Sequence, residues 1–564
     1  MTGQGSSDTL ALGAPLRVRW LGRVPYREAL ALQRGLHGKG SENHLLLLEH
    51  DHVFTYGQHA DLDSNLRCDP EAVGAALIEV DRGGDVTYHG PGQLVGYPII
   101  SLPNAKASLD HVRTVEDVII DALSVLGADR PGRLDGYPGV WLGIGGQEPR
   151  KVAAIGVRLS RGRTLHGFAL NVATDMTYMR DHIIACGIAD RPVTSLAEEG
   201  LTCSMADVAN AVIDAAGRRW GSSVERQDVQ WRHHTEDLTP FSRGSGPGEP
   251  VRLSLRARAA GIHEELPIEE RKPEWLRSVV NHGPEVLRLR RTLRDLDLVT
   301  VCEDAGCPNL SECWSEGTAT LMVLGDRCTR ACGFCLVDTR RPNEPDPGEP
   351  ARVAEAIAQM GLRHAVLTMV ARDDLVDGGM AHVAACVSAI RDRCPGTSIE
   401  TLISDVRGDA TSLELLLAAA PDVVNHNLET VARLQRAARP SAGYARSLAL
   451  LARAAGRVSV TKSGIIVGMG ETDAEVEGAL ADLAAVGCDV VTIGQYLRPT
   501  THHLPVARWV EPVTFERWIE RGRELGIRHV EASPLTRSSH HAAAALEAVT
   551  VSPPVRRRHG KPGA

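Results

Sequence analysis

Two rhythms of apolar and polar positions run along this chain, and they change near residue 250. Before that point, short apolar runs alternate with turn-rich segments and read as β-strands: HLLLLEH (44–50), GQLVGYPII (92–100) and KVAAIGVRL (151–159). Two longer stretches, VRTVEDVIIDALSVLG (112–127) and SMADVANAVIDAAGRRW (204–220), repeat apolar residues three and four apart and predict helices. The first half is therefore α/β with a substantial sheet. After the change, six strand candidates recur: TATLMVLG (318–325), HAVLTMV (364–370), SIETLI (398–403), VVNHNLE (423–429), TKSGIIVGMG (461–470) and DVVTIGQYL (489–497). Helical segments such as VAEAIAQMG and VEGALADLAAVG fall between several of them. Alternating βα units predict a parallel sheet, and six are too few for a closed eight-stranded barrel. The expectation is an open, partial (β/α)6 barrel. Function in barrels collects at the C-terminal strand ends, where CTRACGFC, RDD, NHNLET and GMGET fall.

The break between the rhythms is TPFSRGSGPGEPVRLS, residues 239–254, which is rich in Gly, Ser and Pro. It reads as a flexible linker spanning roughly 20 Å, between domains at 1–238 and 255–550. The basic tail 551–564 reads as solvated and disordered. Hydrophobic residues make up 43% of the chain and charged residues 24%, so each half can bury a core. The net charge of −9, without any interleaved basic and aromatic stripe, argues against nucleic acid as a partner. No signal-peptide pattern opens the sequence, and no apolar run approaches the roughly 20 residues of a membrane helix. The expected location is the cytoplasm, with no membrane partner.

Cysteine usage changes the picture most. Of twelve cysteines, Cys68, Cys186 and Cys203 precede residue 300 and nine follow it. A disulfide framework does not suit a long chain without a secretion signal. Six of the nine form two triplets: Cys302, Cys307 and Cys313 in CEDAGCPNLSECW, and Cys328, Cys332 and Cys335 in CTRACGFC. The C-x3-C-x2-C spacing suits three ligands on one face of a cubane iron–sulfur cluster, leaving one iron open for substrate. Six cysteines within 34 residues also suit a binuclear zinc site, and spacing alone leaves both open. Cys68, Cys203, Cys386, Cys394 and Cys488 have no paired spacing and read as structural.

In the first half, RGGDVTYHGPGQ (82–93) surrounds Tyr88 and His89 with four glycines and a proline. Such a loop brings backbone close to a ligand, but lacks the Gly-Lys-Ser/Thr ending of a nucleotide-binding P-loop. Alone it is a tight turn, and Cys186 alone is a small buried hydrophobe. RGGDVTYHGPGQ, KVAAIGV, HGFALNV, CGI and VTSL, in that order, resemble the lipoyl(octanoyl) transferase family over residues 15–220. That family has a biotin/lipoate-ligase-like α/β fold. The resemblance implies transfer of an octanoyl group from acyl carrier protein to a lysine of a lipoyl domain, carried by 2-oxoacid dehydrogenases or the glycine cleavage H protein. Cys186 would form the acyl-thioester, and Lys151 would lower its pKa and move protons. Arg82, Gly83, Gly84, Asp85, Val86, Thr87, Tyr88 and His89 would line the acyl site, with Ala154, Ile155 and Gly156 and with Gly167, Phe168 and Ala169. Ala185 departs from the proline usual before the cysteine.

CTRACGFC resembles the motif of radical S-adenosylmethionine enzymes. With CEDAGCPNLSECW upstream and RDDLVDGG, NHNLET, TKSGIIVGMGETD, TIGQYLRPT and RSSHH downstream, residues 273–541 are similar to lipoyl synthases. This implies two [4Fe-4S] clusters, S-adenosyl-L-methionine, an electron donor, and insertion of sulfur at C6 and C8 of the octanoyl chain. Cys328, Cys332 and Cys335 would hold the cofactor-binding cluster. Cys302, Cys307, Cys313 and Ser539 would hold an auxiliary cluster that gives up its sulfur. His426, Asn427, Glu429, Lys462 and the loop Gly468–Thr472 would bind the cofactor. Met369, Ala371, Ser404 and His540 depart from residues usual in the family. The rival readings are another radical sulfur-inserting enzyme and a zinc-bound scaffold with an inactive acyl site.

Overall fold

The computed structural model describes residues 15–39, 42–104, 107–231, 253–263, 265–267, 270–277, 284–300 and 318–551. It divides into two compact units, Met1–Arg232 and His233–Ala564. The expected linker lies outside the described residues except Leu253 and Ser254, which begin a short helix, Leu253–Ala259. Of the expected tail, only Val551 is described.

The strands of the first unit are β1 (Leu16–Arg23), β2 (His44–Glu49), β3 (Val53–Tyr56), β4 (Ala76–Glu79), β5 (Thr87–His89), β6 (Gln93–Ile99), β7 (Gly132–Leu134), β8 (Tyr137–Leu142), β9 (Arg150–Ser160), β10 (Arg163–Asn171) and β11 (Val224–Asp228). Eight of them form a mixed sheet in the order β11-β1-β2-β6-β10-β9-β8-β7, and β4-β3-β5 form a small second sheet. Helix α1 (Tyr26–Lys39) precedes β2. Helices α2 (Ser108–Val125) and α3 (Met205–Trp220) pack on the large sheet. They do so through Val115, Val118, Ile119 and Ala122, and through Val208, Val212, Ile213 and Ala216, the three-and-four spacing of one helix face. A reciprocal cap starts α3: Ser204 Oγ accepts from Asp207 N at 3.2 Å, and Asp207 Oδ2 accepts from Ser204 N at 2.9 Å.

The second unit is built on β12 (Val299–Thr300), β13 (Thr318–Val323), β14 (His364–Met369), β15 (Ser398–Leu402), β16 (Val423–Asn425), β17 (Val460–Val467), β18 (Val490–Gln495) and β19 (His529–Ser533). They pair in sequence order. β12 is antiparallel to β13, and the other seven are parallel throughout. Helices α4 (Glu349–Met360), α5 (Met380–Arg393), α6 (Ala410–Ala418), α7 (Tyr444–Ala454), α8 (Asp473–Ala485), α9 (Pro512–Glu524) and α10 (Ala542–Val551) complete the βα rhythm. The six expected strands are β13 to β18, so the partial six-unit barrel is present. It is extended by a seventh parallel strand, β19, which the apolar pattern missed because HVEAS is short and mostly half-buried. β13 and β18 are buried at every position, as strands covered on both faces of a parallel sheet are. No helix among the described residues is long and apolar enough to cross a membrane.

Candidate active sites

Lys151 and Cys186 are far apart in sequence and meet through backbone pairing. Lys151 lies on β9, where its N–H donates to Pro192 O and its carbonyl accepts from Thr194 N, both at 2.9 Å. The segment leaving the Cys186 turn is therefore pinned to β9 at Lys151. On the other side, Cys186 N donates to Val86 O at 2.8 Å, joining the turn to the glycine-rich loop. Cys186 itself has φ +58°, a left-handed conformation that a residue with a side chain adopts at a cost of about 1–3 kcal/mol. The Cys186 side chain is half-buried.

Lys151 and Cys186 border one cavity of about 260 Å³. Of the fourteen residues expected to line the acyl site, Arg82, Gly83, Gly84, Asp85, Thr87, His89, Ala154, Ile155, Gly156, Gly167, Phe168 and Ala169 border it. Val86 and Tyr88 do not: both are fully buried, and Tyr88 O–H pairs with His52 Nδ1 at 2.7 Å. Gly167 has no room for a side chain, since a Cβ there would lie 2.1 Å from Gly96 O. The lining mixes apolar side chains such as Ile155 and Phe168 with the aromatic Tyr26 and His89 and with the ionisable Arg82, Asp85 and Lys151. Burial pushes the His89 pKa well below its ordinary value and raises Tyr26 to about 12, and behind the lining it pushes His50 down to about 4. Lys151 Nζ lies 5.8 Å from the centre of the Trp141 ring. Tyr26, Tyr97, Tyr137 and His166 also border the cavity and escaped the sequence reading. Only His166 carried a signal, standing directly before Gly167.

In the second unit, Cys328, Cys332 and Cys335 share the loop after β13. Cys328 Sγ accepts from Arg330 N at 3.4 Å and from Ala371 N at 3.3 Å. The loop is clamped from below by Arg330, whose Nε and Nη2 lie 2.7 Å from the two oxygens of Asp373 and whose Nη1 lies 2.6 Å from Asp405 Oδ1. His503 Nε2 donates to Cys335 O at 3.0 Å. Burial raises the thiols of Cys328 and Cys332, the latter to about 12. Cys328 and Cys332, whose surroundings oppose ionisation, the first with N–H donors aimed at its sulfur, suit coordination to a metal that ionises them.

A cavity of about 490 Å³ opens beside Cys335 at the C-terminal strand ends. Asn427 and Glu429 line it, with Gly464, Thr492, Gln495, Arg498, Arg537 and Ser538. Burial raises the Glu429 carboxyl, against the pull of Arg439 and Asn427. His426 and Lys462 do not line the cavity. His426 bonds to Ile403 O and Ser447 Oγ, both at 2.8 Å, and Lys462 to Glu400. The loop Gly468–Thr472 folds on itself instead, with Glu471 accepting from Gly468 N and Met469 N. Of the two serines in RSS, Ser538 faces the cavity and Ser539 is half-buried outside its lining. Cys302, Cys307 and Cys313 lie outside the described residues.

The first site lies within one recognisable module, and Cys328, Cys332, Cys335, Asn427 and Glu429 of the second lie within another. The lipoyl protein ligase A/B catalytic domain matches residues 25–217, and the radical SAM superfamily matches residues 322–483. Over 275 residues the chain is 54% identical to the lipoyl synthase of Methylococcus capsulatus, spanning 48% of this chain and 85% of that one. The chain belongs to the lipoyl synthase family. The lipoyl synthase of Thermus thermophilus is 49% identical over 303 residues, 53% of this chain and 94% of that one. Membership brings S-adenosylmethionine and iron–sulfur as the cofactor class. The fold is also similar to that of a bipartite lipoate protein ligase from Thermoplasma acidophilum, at 21% identity, 38% of this chain and 87% of that one, with a TM-score of 0.33. That likeness is too slight to build on.

Proposed function

We propose that this chain is a bifunctional enzyme of lipoate synthesis: its first unit moves an octanoyl group from acyl carrier protein to a lysine of a lipoyl domain, and its second inserts two sulfurs into that chain. The observation that carries the first step is the convergence of Lys151 and a left-handed Cys186 on one cavity. The Cys186 thiol gives up its proton with help from Lys151, and its sulfur attacks the thioester carbonyl. The carrier thiol leaves and takes a proton, and an octanoyl-thioester remains on Cys186. The lipoyl-domain lysine then attacks this carbonyl through its neutral amine, forming the amide and returning the Cys186 thiol. Splitting the transfer in this way lowers each barrier. The apolar stretch of the lining, with Ile155, Phe168, Ala154 and Ala169, suits an eight-carbon chain.

In the second unit, Cys328, Cys332 and Cys335 would hold one [4Fe-4S] cluster. Cys302, Cys307, Cys313 and Ser539 would hold the auxiliary cluster. Bound together, the clusters and S-adenosyl-L-methionine supply hydrogen removal at C6 and C8 and the sulfur placed there. The chain's own part is to bind and orient. Arg330 and His503 fix the cysteine loop, and the buried Glu429 with Asn427 offers acceptors to a cationic cofactor. An electron donor is required from outside the chain. The two units act in series, since the first makes the octanoyl-lysine that the second consumes.

The whole chain, incubated with octanoyl-acyl carrier protein, should carry an octanoyl mass on Cys186, and Cys186→Ala should carry none. With a lipoyl domain, S-adenosylmethionine and reductant added anaerobically, the product should be lipoyl-lysine. An unmodified Cys186, under conditions that acylate a control transferase, rejects the first step. Octanoyl-lysine that accumulates without sulfur rejects the second.

A further inference from the structure

Glu531 lies on β19, and two consecutive histidines, His540 and His541, meet it from the turn before α10. His541 Nδ1 is 3.2 Å from Glu531 Oε1 and His540 Nδ1 is 4.0 Å from the same oxygen. One donor atom from each of the three residues falls within a 4.8 Å group. Consecutive side chains ordinarily diverge. Here they converge because His541 has φ +49°, a conformation that costs a β-carbon residue energy. That turn stacks the two imidazoles at 3.8 Å with planes 27° apart. The side chain of His540 is 9% exposed, that of Glu531 24% and that of His541 34%, so the group is reachable yet sheltered. On the other carboxylate oxygen, His529 Nε2 lies at 3.5 Å.

We propose that Glu531, His540 and His541 form a binding site for a divalent transition-metal ion of the zinc class, separate from the cysteine motifs. Two imidazole nitrogens and a carboxylate oxygen are a zinc donor set that leaves one position open. Around a tetrahedral zinc the ligand atoms lie about 3.3 Å apart, close to the spacing found between His541 and Glu531. The harder ions Mg2+ and Ca2+ prefer all-oxygen shells. The ion ties the edge strand β19 to the turn that carries Ser538 and Ser539, and so braces one wall of the second cavity.

The test uses the full chain, loaded anaerobically with iron and sulfide so that the cysteine motifs are filled, and then titrated with Zn2+ alone by calorimetry. One zinc should bind per chain and raise the unfolding temperature. Glu531→Gln and His541→Ala should each weaken that binding at least tenfold, with iron content and the zinc-free unfolding temperature unchanged. Zinc K-edge absorption should show nitrogen and oxygen at about 2.0–2.1 Å and no sulfur shell. Equal zinc affinity in wild type and both variants, or a zinc–sulfur shell near about 2.3 Å, overturns the proposal.

Discussion

Lys462 Nζ lies 3.0 and 3.1 Å from the two oxygens of Glu400, and both side chains are 1% exposed. The pair does not touch the second cavity, yet it reaches it through hydrogen bonds. Asn425 Nδ2 donates to Glu400 Oε1 at 2.7 Å and to Ser538 Oγ at 2.9 Å, and Ser538 Oγ donates to Asn427 Oδ1 at 3.0 Å. A lysine expected to grip the cofactor thus supports the residues that face it. Removing one partner strands a buried charge, which costs about 3–5 kcal/mol, whereas replacing both is far milder. Lys462→Met should therefore lower the denaturant midpoint of the second unit sharply, and the double variant with Glu400→Gln should recover most of the loss. A double variant as unstable as the single one would refute this reading.

Arg330 makes three charge-assisted bonds from within CTRACGFC, two to Asp373 and one to Asp405. Asp405 is fully buried and also takes Arg446 Nε at 3.0 Å. The guanidinium fork ties the cysteine loop to the ends of β14 and β15, and an ammonium cannot reproduce it. Arg330→Lys should retain the fold but lose at least half the iron of the Cys328 cluster during anaerobic purification. Octanoyl transfer by the first unit should be unchanged. Full iron retention in the variant would show that the fork is dispensable.

Gly139 faces Lys151 across β8 and β9. It has φ +113°, and a Cβ there would lie 2.5 Å from Ala153 O and 2.8 Å from Lys151 Cε. Gly139→Ala should press on the β9 backbone at Ala153 and displace the Lys151 side chain. Proton transfer is worth about 10²–10⁴ in rate, so kcat for octanoyl transfer should fall about a hundredfold while KM for the carrier changes little. A KM rise at constant kcat would mean that Gly139 serves binding instead.

Much of this was legible before any coordinates. The six strands β13 to β18 announced themselves as short runs rich in Val, Ile, Leu and Thr between helical segments, and the helices by their three-and-four spacing. Lys151 and Cys186 could be paired only by resemblance, since what joins them is the bond between β9 and Pro192–Thr194. Spacing placed Cys328, Cys332 and Cys335 in one loop. It could not separate Asn427, which faces the cavity, from its neighbour His426, which turns inward to Ser447. Side-chain direction after a strand end follows tertiary bonds and not period. Tyr26 and Tyr97 were invisible because an aromatic residue in a core element reads as packing whether or not a cavity lies beside it.

Stability should also report the buried imidazoles. Burial holds His50 and His426 down to about 4, against about 6.5 in an unfolded chain. Each folded site therefore stays neutral while its unfolded counterpart binds a proton. Their contribution is whole above pH 6.5 and is lost as pH falls toward 4, at up to about 1.4 kcal/mol per pH unit for each histidine. Glu400 behaves differently. Burial pushes it up, but Lys462, His364 and Asn425 override that and hold it at about 2. Its contribution persists down to the ordinary glutamate value of about 4.3 and fades only below it. Between pH 6.5 and 4.5 the histidines are thus what these three groups report. His50 Nδ1 donates to Val24 O and Nε2 accepts from Tyr97 O–H, both at 2.7 Å, and a glutamine can offer one donor and one acceptor in their place. His50→Gln should flatten the pH dependence of the first unit's unfolding free energy by about one proton across that window, measured with guanidinium at pH 7, 6 and 5. An unchanged slope would mean that His50 is protonated in the folded chain.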